Sequence, residues 1–398
     1  MATNFKFNNG GNTADFTDVF IPRAAFSQGG LWAWGANGYG QLGTNNQTAY
    51  SSPVQSIASG VNWKQVSNNT YGTSAGIKTD GTLWTWGKNA LGQLGDNTIA
   101  SKSSPIQTIA GGNNWKQVAT GNGSQAVCGA IKTDGTLWLW GYNGFGNLGD
   151  STAVNKSSPV QTIAGGTNWK QVSIGLSTFG HAGAIKTDGT LWFWGRNYKG
   201  EAGTSANVGG SYNSPIQTIA AGTNWKQLSC GDTFSTAIKT DGTLWVWGQN
   251  NQGQLGDNTV VHKSSPVQTI SGGTNWKQVA AGGFNCAAIK TDGTLWMWGY
   301  NNIGQLGDNT IDRKSSPVQT IAGGTNWREI TCSHSGNAAT AAIKTDGTLW
   351  MWGSGSAGVL GGNNSVAKSS PVQTIAGGTN WKQVSVGDST TLAITDIF

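Results

Sequence analysis

Glutamate, arginine, histidine and the sulfur-bearing residues are scarce in this chain of 398 residues: it holds two glutamates, four arginines, three histidines, three methionines and four cysteines. Each scarcity excludes something. With only Glu201 and Glu329 present, a catalytic carboxylate pair would have to come from aspartates, most of which sit in turns. His181, His262 and His334 stand far apart, without metal-ligand spacing. No window is apolar enough to span a membrane, so no membrane insertion is expected. Residues Met1–Gly11 lack the charged and then apolar run of a secretory signal. The net charge of +6 is carried by repeated lysines and so is spread out, which argues against a single nucleic-acid cleft. Cys230 and Cys332 share one repeat position and Cys128 and Cys286 another, each pair at least two repeats apart. They read as free, buried thiols rather than a disulfide framework. No enzyme activity, cofactor or metal is expected.

What is abundant is glycine (62 residues) and tryptophan (21). The tryptophans fall in seven sets of three, one in Asn-Trp-Lys-Gln or its variants and two in the stretch Lys-Thr-Asp-Gly-Thr-Leu-Trp-x-Trp-Gly, which begins at Lys78, Lys132, Lys186, Lys239, Lys290 and Lys344. A partial copy, Leu31-Trp32-Ala33-Trp34-Gly35, lacks the turn. Asp-Gly between apolar segments is a strong hairpin signal, because glycine supplies the positive φ that a tight turn needs. Alternation then puts both tryptophans of the second strand on one face. The other face takes Leu and x, and x is Ala33, Thr85, Leu139, Phe193, Val246, Met297 and Met351 in turn. Apolar residues on both faces predict sheets sandwiched between other sheets.

Successive Trp-x-Trp-Gly copies are 52, 54, 54, 53, 51 and 54 residues apart, the period of a propeller blade. One unit reads as a strand at Asn-Trp-Lys-Gln-Val, a variable loop, the hairpin, a Gly-Gln-Leu-Gly-Asp-Asn loop, and a last strand at Ser-Pro-Val-Gln-Thr-Ile. Proline there suits an outer edge. The C-terminus supplies the first two strands of a unit and stops; residues from Leu31 supply the other two. The expected fold is therefore all-β: a seven-bladed β-propeller over residues 29–398, four antiparallel strands per blade, its last blade closed by both chain ends. Residues 1–28 form a separate arm, with Phe5, Phe7, Phe16, Phe20 and Phe26 as candidate attachment hooks.

Alternating connections divide the loops between two faces. Asp-Gly turns and Ala-Gly-Gly-Thr connections share an almost invariant face, whose lysines form a cationic ring read as a solvated surface. The other face varies: from the Asn-Trp-Lys tryptophan to the hairpin isoleucine the span is 14 residues from Trp63, 16 from Trp115 and 13 from Trp225. Positions free to differ between blades are free to specialise. The candidate partner-binding residues on that face are Tyr39, Tyr71, Tyr142, Phe145, Phe179, His181, Tyr198, Phe234, Phe284, Tyr300 and His334, aromatics being favoured interface anchors.

The run Trp86-Gly87-Lys88-Asn89-Ala90-Leu91-Gly92-Gln93-Leu94-Gly95, repeated along the chain, resembles the regulator of chromosome condensation repeat family. That resemblance implies a seven-bladed propeller and roles from guanine-nucleotide exchange on a small nuclear GTPase to ultraviolet-B photoreception and β-lactamase inhibition. The photoreceptor's Gly-Trp-Arg-His-Thr motif has no counterpart, and no long insertion forms an exchange wedge. Near-identical blades with an arm such as Asn4-Phe5-Lys6-Phe7-Asn8-Asn9-Gly10 resemble proteins encoded by marine bacteriophages. The expectation is a non-enzymatic structural and binding propeller, a phage virion component (tail, fibre or capsid decoration) whose partner is a protein, the virion assembly or a host surface receptor. The alternative is an intracellular, cytoplasmic interaction propeller of the GTPase exchange-factor type.

Overall fold

The structure, a computed structural model, describes residues 30–57, 62–121, 123, 125–175, 180–220, 222–333 and 338–396. These residues form seven four-stranded antiparallel sheets. Strands β1 (Leu31–Gly35) and β2 (Tyr50–Gln55) precede the first complete blade, which is β3 (Trp63–Asn68), β4 (Thr73–Lys78), β5 (Leu83–Gly87) and β6 (Lys102–Gln107), in that order across its sheet. Blades are numbered 1 to 6 from this one along the chain. Blade 7 joins β2 and β1 to Thr390–Thr395 and Trp381–Val386. Leu31 pairs with Ile394 and Gly35 with Thr390, so β1 is zipped along its whole length to the last strand of the chain. The expected seven blades and two-ended closure are both present.

The decapeptide accounts for the hairpin and for the stacking. Only Gly81 of the turn has a positive φ, +83°. The Asp80 carboxylate accepts the Thr82 N–H at 2.9 Å and its hydroxyl at 2.7 Å, and that hydroxyl accepts the Trp84 indole N–H at 2.8 Å. A Cβ on Gly81 would run into the Asn113 carbonyl of the next blade's lead-in, and the Gly81 carbonyl accepts the Trp115 N–H at 3.0 Å. The turn glycine is thus demanded twice, by its φ and by the neighbouring blade.

Each complete blade lays its tryptophan face on the leucine face of the blade before it. Trp63, Val66 and Trp86 pack with Leu31, Ala33, Leu392 and Ile394; Trp115, Val118 and Trp140 pack with Ala75, Ile77 and Leu83. The second indole of every Trp-x-Trp pair donates across the seam to a backbone carbonyl: Trp86 to Gln41 at 2.8 Å, Trp298 to Gln254 at 2.9 Å, and Trp34 to Val359 at 2.7 Å. A buried indole N–H left unpaired would cost about 1–3 kcal/mol, so these bonds fix the stacking register as well as its energy.

Two expectations need adjusting. The outermost strand starts earlier than Ser-Pro, at Lys102 in blade 1, and Pro105 lies inside it, where the pairing slips between Thr85 and Gly87. Proline is tolerated because the strand is an edge and the ladder is already broken there. The Gly-Gln-Leu-Gly segment starts on the variable face but then dips between blades: Leu94 is fully buried, and the Gly95 backbone abuts Trp140 and Pro159 of blade 2.

A polar ladder encircles the central channel, and sequence reasoning had not assigned it. In Trp-Lys-Gln the glutamine bridges adjacent innermost strands. Gln65 donates to the Val118 carbonyl at 3.0 Å and accepts the Val118 N–H at 3.0 Å. Gln117, Gln171, Gln227 and Gln383 repeat both bonds with Val172, Leu228, Val279 and Val66. In blade 6 the position is Glu329, which accepts the Val384 N–H at 3.2 Å, while Arg328 donates to the Trp381 carbonyl at 2.6 Å.

Candidate partner-binding face

The conserved parts of the variable-face loops are occupied by the fold. Asn89 is fully buried; its amide donates to Asp96, Thr98 and Ala100, and its oxygen accepts the Leu94 N–H at 2.9 Å. Asp96 in turn accepts the Thr98 N–H and hydroxyl at 3.0 and 2.8 Å and lies 4.0 Å from Lys102. The same aspartate–lysine pair recurs as Asp150–Lys156, Asp257–Lys263 and Asp308–Lys314. Where the aspartate becomes a threonine, the lysine becomes a tyrosine: the Thr204 hydroxyl lies 3.1 Å from the Tyr212 hydroxyl in blade 3, and Thr44 and Tyr50 hold the two positions in blade 7. These loops are self-contained turns.

What stays at the surface are residues flanking that asparagine and, in blade 1, one from the β3–β4 loop. Tyr39 is 45% exposed and Tyr198 46%, and Tyr71 of the β3–β4 loop 45%. Lys88 sits 5.1 Å above the Tyr39 ring and 5.6 Å above Tyr71, spanning the seam between blades 7 and 1. At the seam between blades 2 and 3 the Arg196 guanidinium lies 5.7 Å from the Phe145 ring and 4.3 Å from Tyr198, with Lys199 4.6 Å from the same tyrosine. Tyr142 and Phe145 are 6.3 Å apart, and in blade 5 half-buried Phe284 meets Tyr300 edge-on at 6.5 Å. An open groove of about 340 Å³ runs past Tyr300 between Gln252, Asn302, Ile311, Asp312 and Arg313.

Two of the expected surface residues are core. Phe234 is fully buried, its ring filling the space above Gly231. His181 is 2% exposed, its Nε2 lies 2.9 Å from the Ser235 hydroxyl, and burial pushes its pKa down to about 3. Both open their strands, so alternation turns them into the blade rather than out to solvent. Phe179, His334 and the five arm phenylalanines lie outside the described residues.

The structure absorbs the other groups of chemical interest. The six hairpin lysines lie over tryptophan pairs, as Lys78 does 4.5 Å from Trp84 and 5.3 Å from Trp63, so this part of the cationic ring serves the fold, while lysines such as Lys64 and Lys116 are exposed. All four cysteines are buried and free. Burial pushes Cys230 and Cys332 up to about 12, and Cys332 lies near enough to Cys286, across the seam of blades 5 and 6, to bear on its ionisation. Same-position comparison had missed that proximity. Glu329 stands where every other blade has glutamine and Glu201 where four others do, and burial lifts both carboxyls to about 7. Among the described residues no three potential ligands cluster as a metal site, and no helix is long and apolar enough to cross a membrane.

Such a molecule is a tryptophan-stacked propeller with one structural face and one face carrying individual side chains. A sequence model of the RCC1-like domain matches residues 117–397, and one of the regulator of chromosome condensation (RCC1) repeat matches 28–68 and 80–128. The chain belongs to the RCC1 repeat family. It is similar to the mitochondrial RCC1 domain-containing protein RUG3 of Arabidopsis thaliana, at 30% identity over 352 residues, covering 81% of this chain and 77% of that protein. It is similar also to the ultraviolet-B receptor UVR8 of the same plant, at 28% identity over 336 residues, 81% of this chain and 72% of the receptor. Its fold matches that of Prp20p from Saccharomyces cerevisiae, a protein studied for binding Gsp1p and histones, with a TM-score of 0.77 at 15% identity over 93% of this chain and 92% of that one.

Proposed function

We propose that the chain is a non-enzymatic protein-binding propeller that meets its partner through the variable face. The supporting observation is the contrast between the two faces. On the Asp-Gly side, aspartate, threonine, lysine and tryptophan are tied to one another in every complete blade. On the other side Tyr39, Tyr71 and Tyr198 stay about half exposed and differ from blade to blade. Exposed aromatic anchors on rigid loops are what a protein interface needs. The relatives agree with a binding role: one is a receptor, and another is known with Gsp1p and histones. The virion reading gains nothing from these plant and yeast relatives, and its attachment arm lies outside the described residues. The test of protein binding through the variable face is affinity capture from the source organism's extract, followed by hydrogen exchange on the reconstituted complex. Protection in the Tyr39, Tyr71 and Tyr198 loops is expected; protection confined to the Asp-Gly turns would overturn it.

A further inference from the structure

Resting on that reading, we infer that the binding half of the variable face is the arc over blades 7, 1, 2 and 3, and that it takes an acidic peptide segment of the partner. Three positions per blade flank the loop's buried asparagine, or Gly355 in blade 6: Ala36, Gly38 and Tyr39 in blade 7, and their equivalents elsewhere. Across all seven blades these positions hold three charged residues, Lys88, Arg196 and Lys199, all basic and all within the arc. Aromatics follow the same division, with Tyr39, Tyr142, Phe145 and Tyr198 inside it and Tyr300 alone outside. The equivalent positions of blades 4, 5 and 6 hold no charge; the cation that reaches them, Arg313, donates to the Asn251 carbonyl at 3.5 Å and has Asp312 beside it in the chain. Three acids lie near the arc. Glu201 is 2% exposed, with its carboxylate held by the Lys199 backbone N–H at 2.7 Å. Asp388, in the first loop of blade 7, accepts the Ser333 hydroxyl at 3.2 Å, and Asp232 lies in the first loop of blade 4.

The packing of these cations selects the occupant. Arg196 and Lys199 both lie against the Tyr198 ring, and Lys88 lies over Tyr39. Stacking restrains the long side chains before binding, so less rotamer freedom is lost when a carboxylate arrives. The same stacking occupies ring faces that a nucleobase would need, and three cations are too few to track a phosphate backbone, which favours a carboxylate-bearing peptide over a nucleic acid. The test is fluorescence anisotropy with the full chain and three labelled probes: a short peptide rich in aspartate and glutamate with one phenylalanine, its glutamine and asparagine counterpart, and a single-stranded DNA oligonucleotide. The acidic peptide should bind best, and Lys88→Glu, Arg196→Glu and Lys199→Glu should each weaken it by about tenfold. Ser356→Glu and Asn302→Glu, at equivalent positions of blades 6 and 5, should change it less than about twofold. Equal loss at all five sites, no preference over the neutral peptide, or tighter binding of the oligonucleotide would overturn the inference. A captured partner that protects the variable face yet survives the three charge reversals would sink this inference alone; one that protects only the opposite face would remove the reading beneath it.

Discussion

Replacing Glu329 by glutamine should take a pH dependence out of the stability of the ring. Gln65, Gln117, Gln171, Gln227 and Gln383 of the channel ladder both donate and accept across their seams; an ionised Glu329 can only accept, and it does so from the Val384 N–H at 3.2 Å. Burial raises its carboxyl from the ordinary 4.5 to about 7, opposed by the Val384 N–H and by Arg328. Between those values the folded protein holds a proton that the unfolded chain has released. The contribution is therefore fully present below pH 4.5 and lost as pH rises through about 7. At about 1.4 kcal/mol per tenfold change in proton affinity, the ceiling is about 3 kcal/mol. Glu329 is only half-buried at the channel wall, so water screens part of it, leaving about 1–2 kcal/mol. Denaturant unfolding of wild type and Glu329→Gln from pH 5 to pH 8 isolates this group. Glu201, also lifted to about 7, and His181, whose stabilisation is present above pH 6.5 and lost as pH falls towards about 3, are common to both proteins. The variant should gain on the wild type by about 1–2 kcal/mol across that range. Parallel profiles would refute the reasoning.

Other outcomes follow from the seams. Gly304 has φ +78° and a backbone too close to Ser369 of blade 6 for a Cβ, whereas Gly377, at φ +59°, has open space around it. Gly304→Ala should therefore cost about 3 kcal/mol or more and Gly377→Ala about 1 kcal/mol, and equal losses in thermal or denaturant unfolding would contradict this. Trp298→Phe deletes the 2.9 Å bond to the Gln254 carbonyl in a fully buried site and should cost about 2–4 kcal/mol by the same measurement. Lys290→Met removes an ammonium 4.5 Å from Trp296 and 4.9 Å from Trp276; a loss of about 0.5–1 kcal/mol is expected, where a purely solvated lysine would show none.

Read without coordinates, the repeat already settled the architecture. Trp-x-Trp at intervals near 53 residues, turn glycines between apolar runs and complementary chain ends admit few arrangements other than seven stacked sheets closed by both termini. Those signals are local, and local spacing survives translation into structure. Which exposed-looking aromatics face solvent did not follow, because Phe234 and His181 open strands whose first residue turns inward, while Tyr198, on a loop, points out. Nor did the role of Trp-Lys-Gln, since its glutamine bonds a strand some 53 residues away. The clue was present in the chain, where the only two glutamates replace glutamines of the repeat, but its meaning depended on which groups meet across a seam. Pairings between blades are made by neighbours distant in sequence, and only the closed ring brings Arg196 onto Phe145 and Lys88 onto Tyr39, gathering the cations on one side.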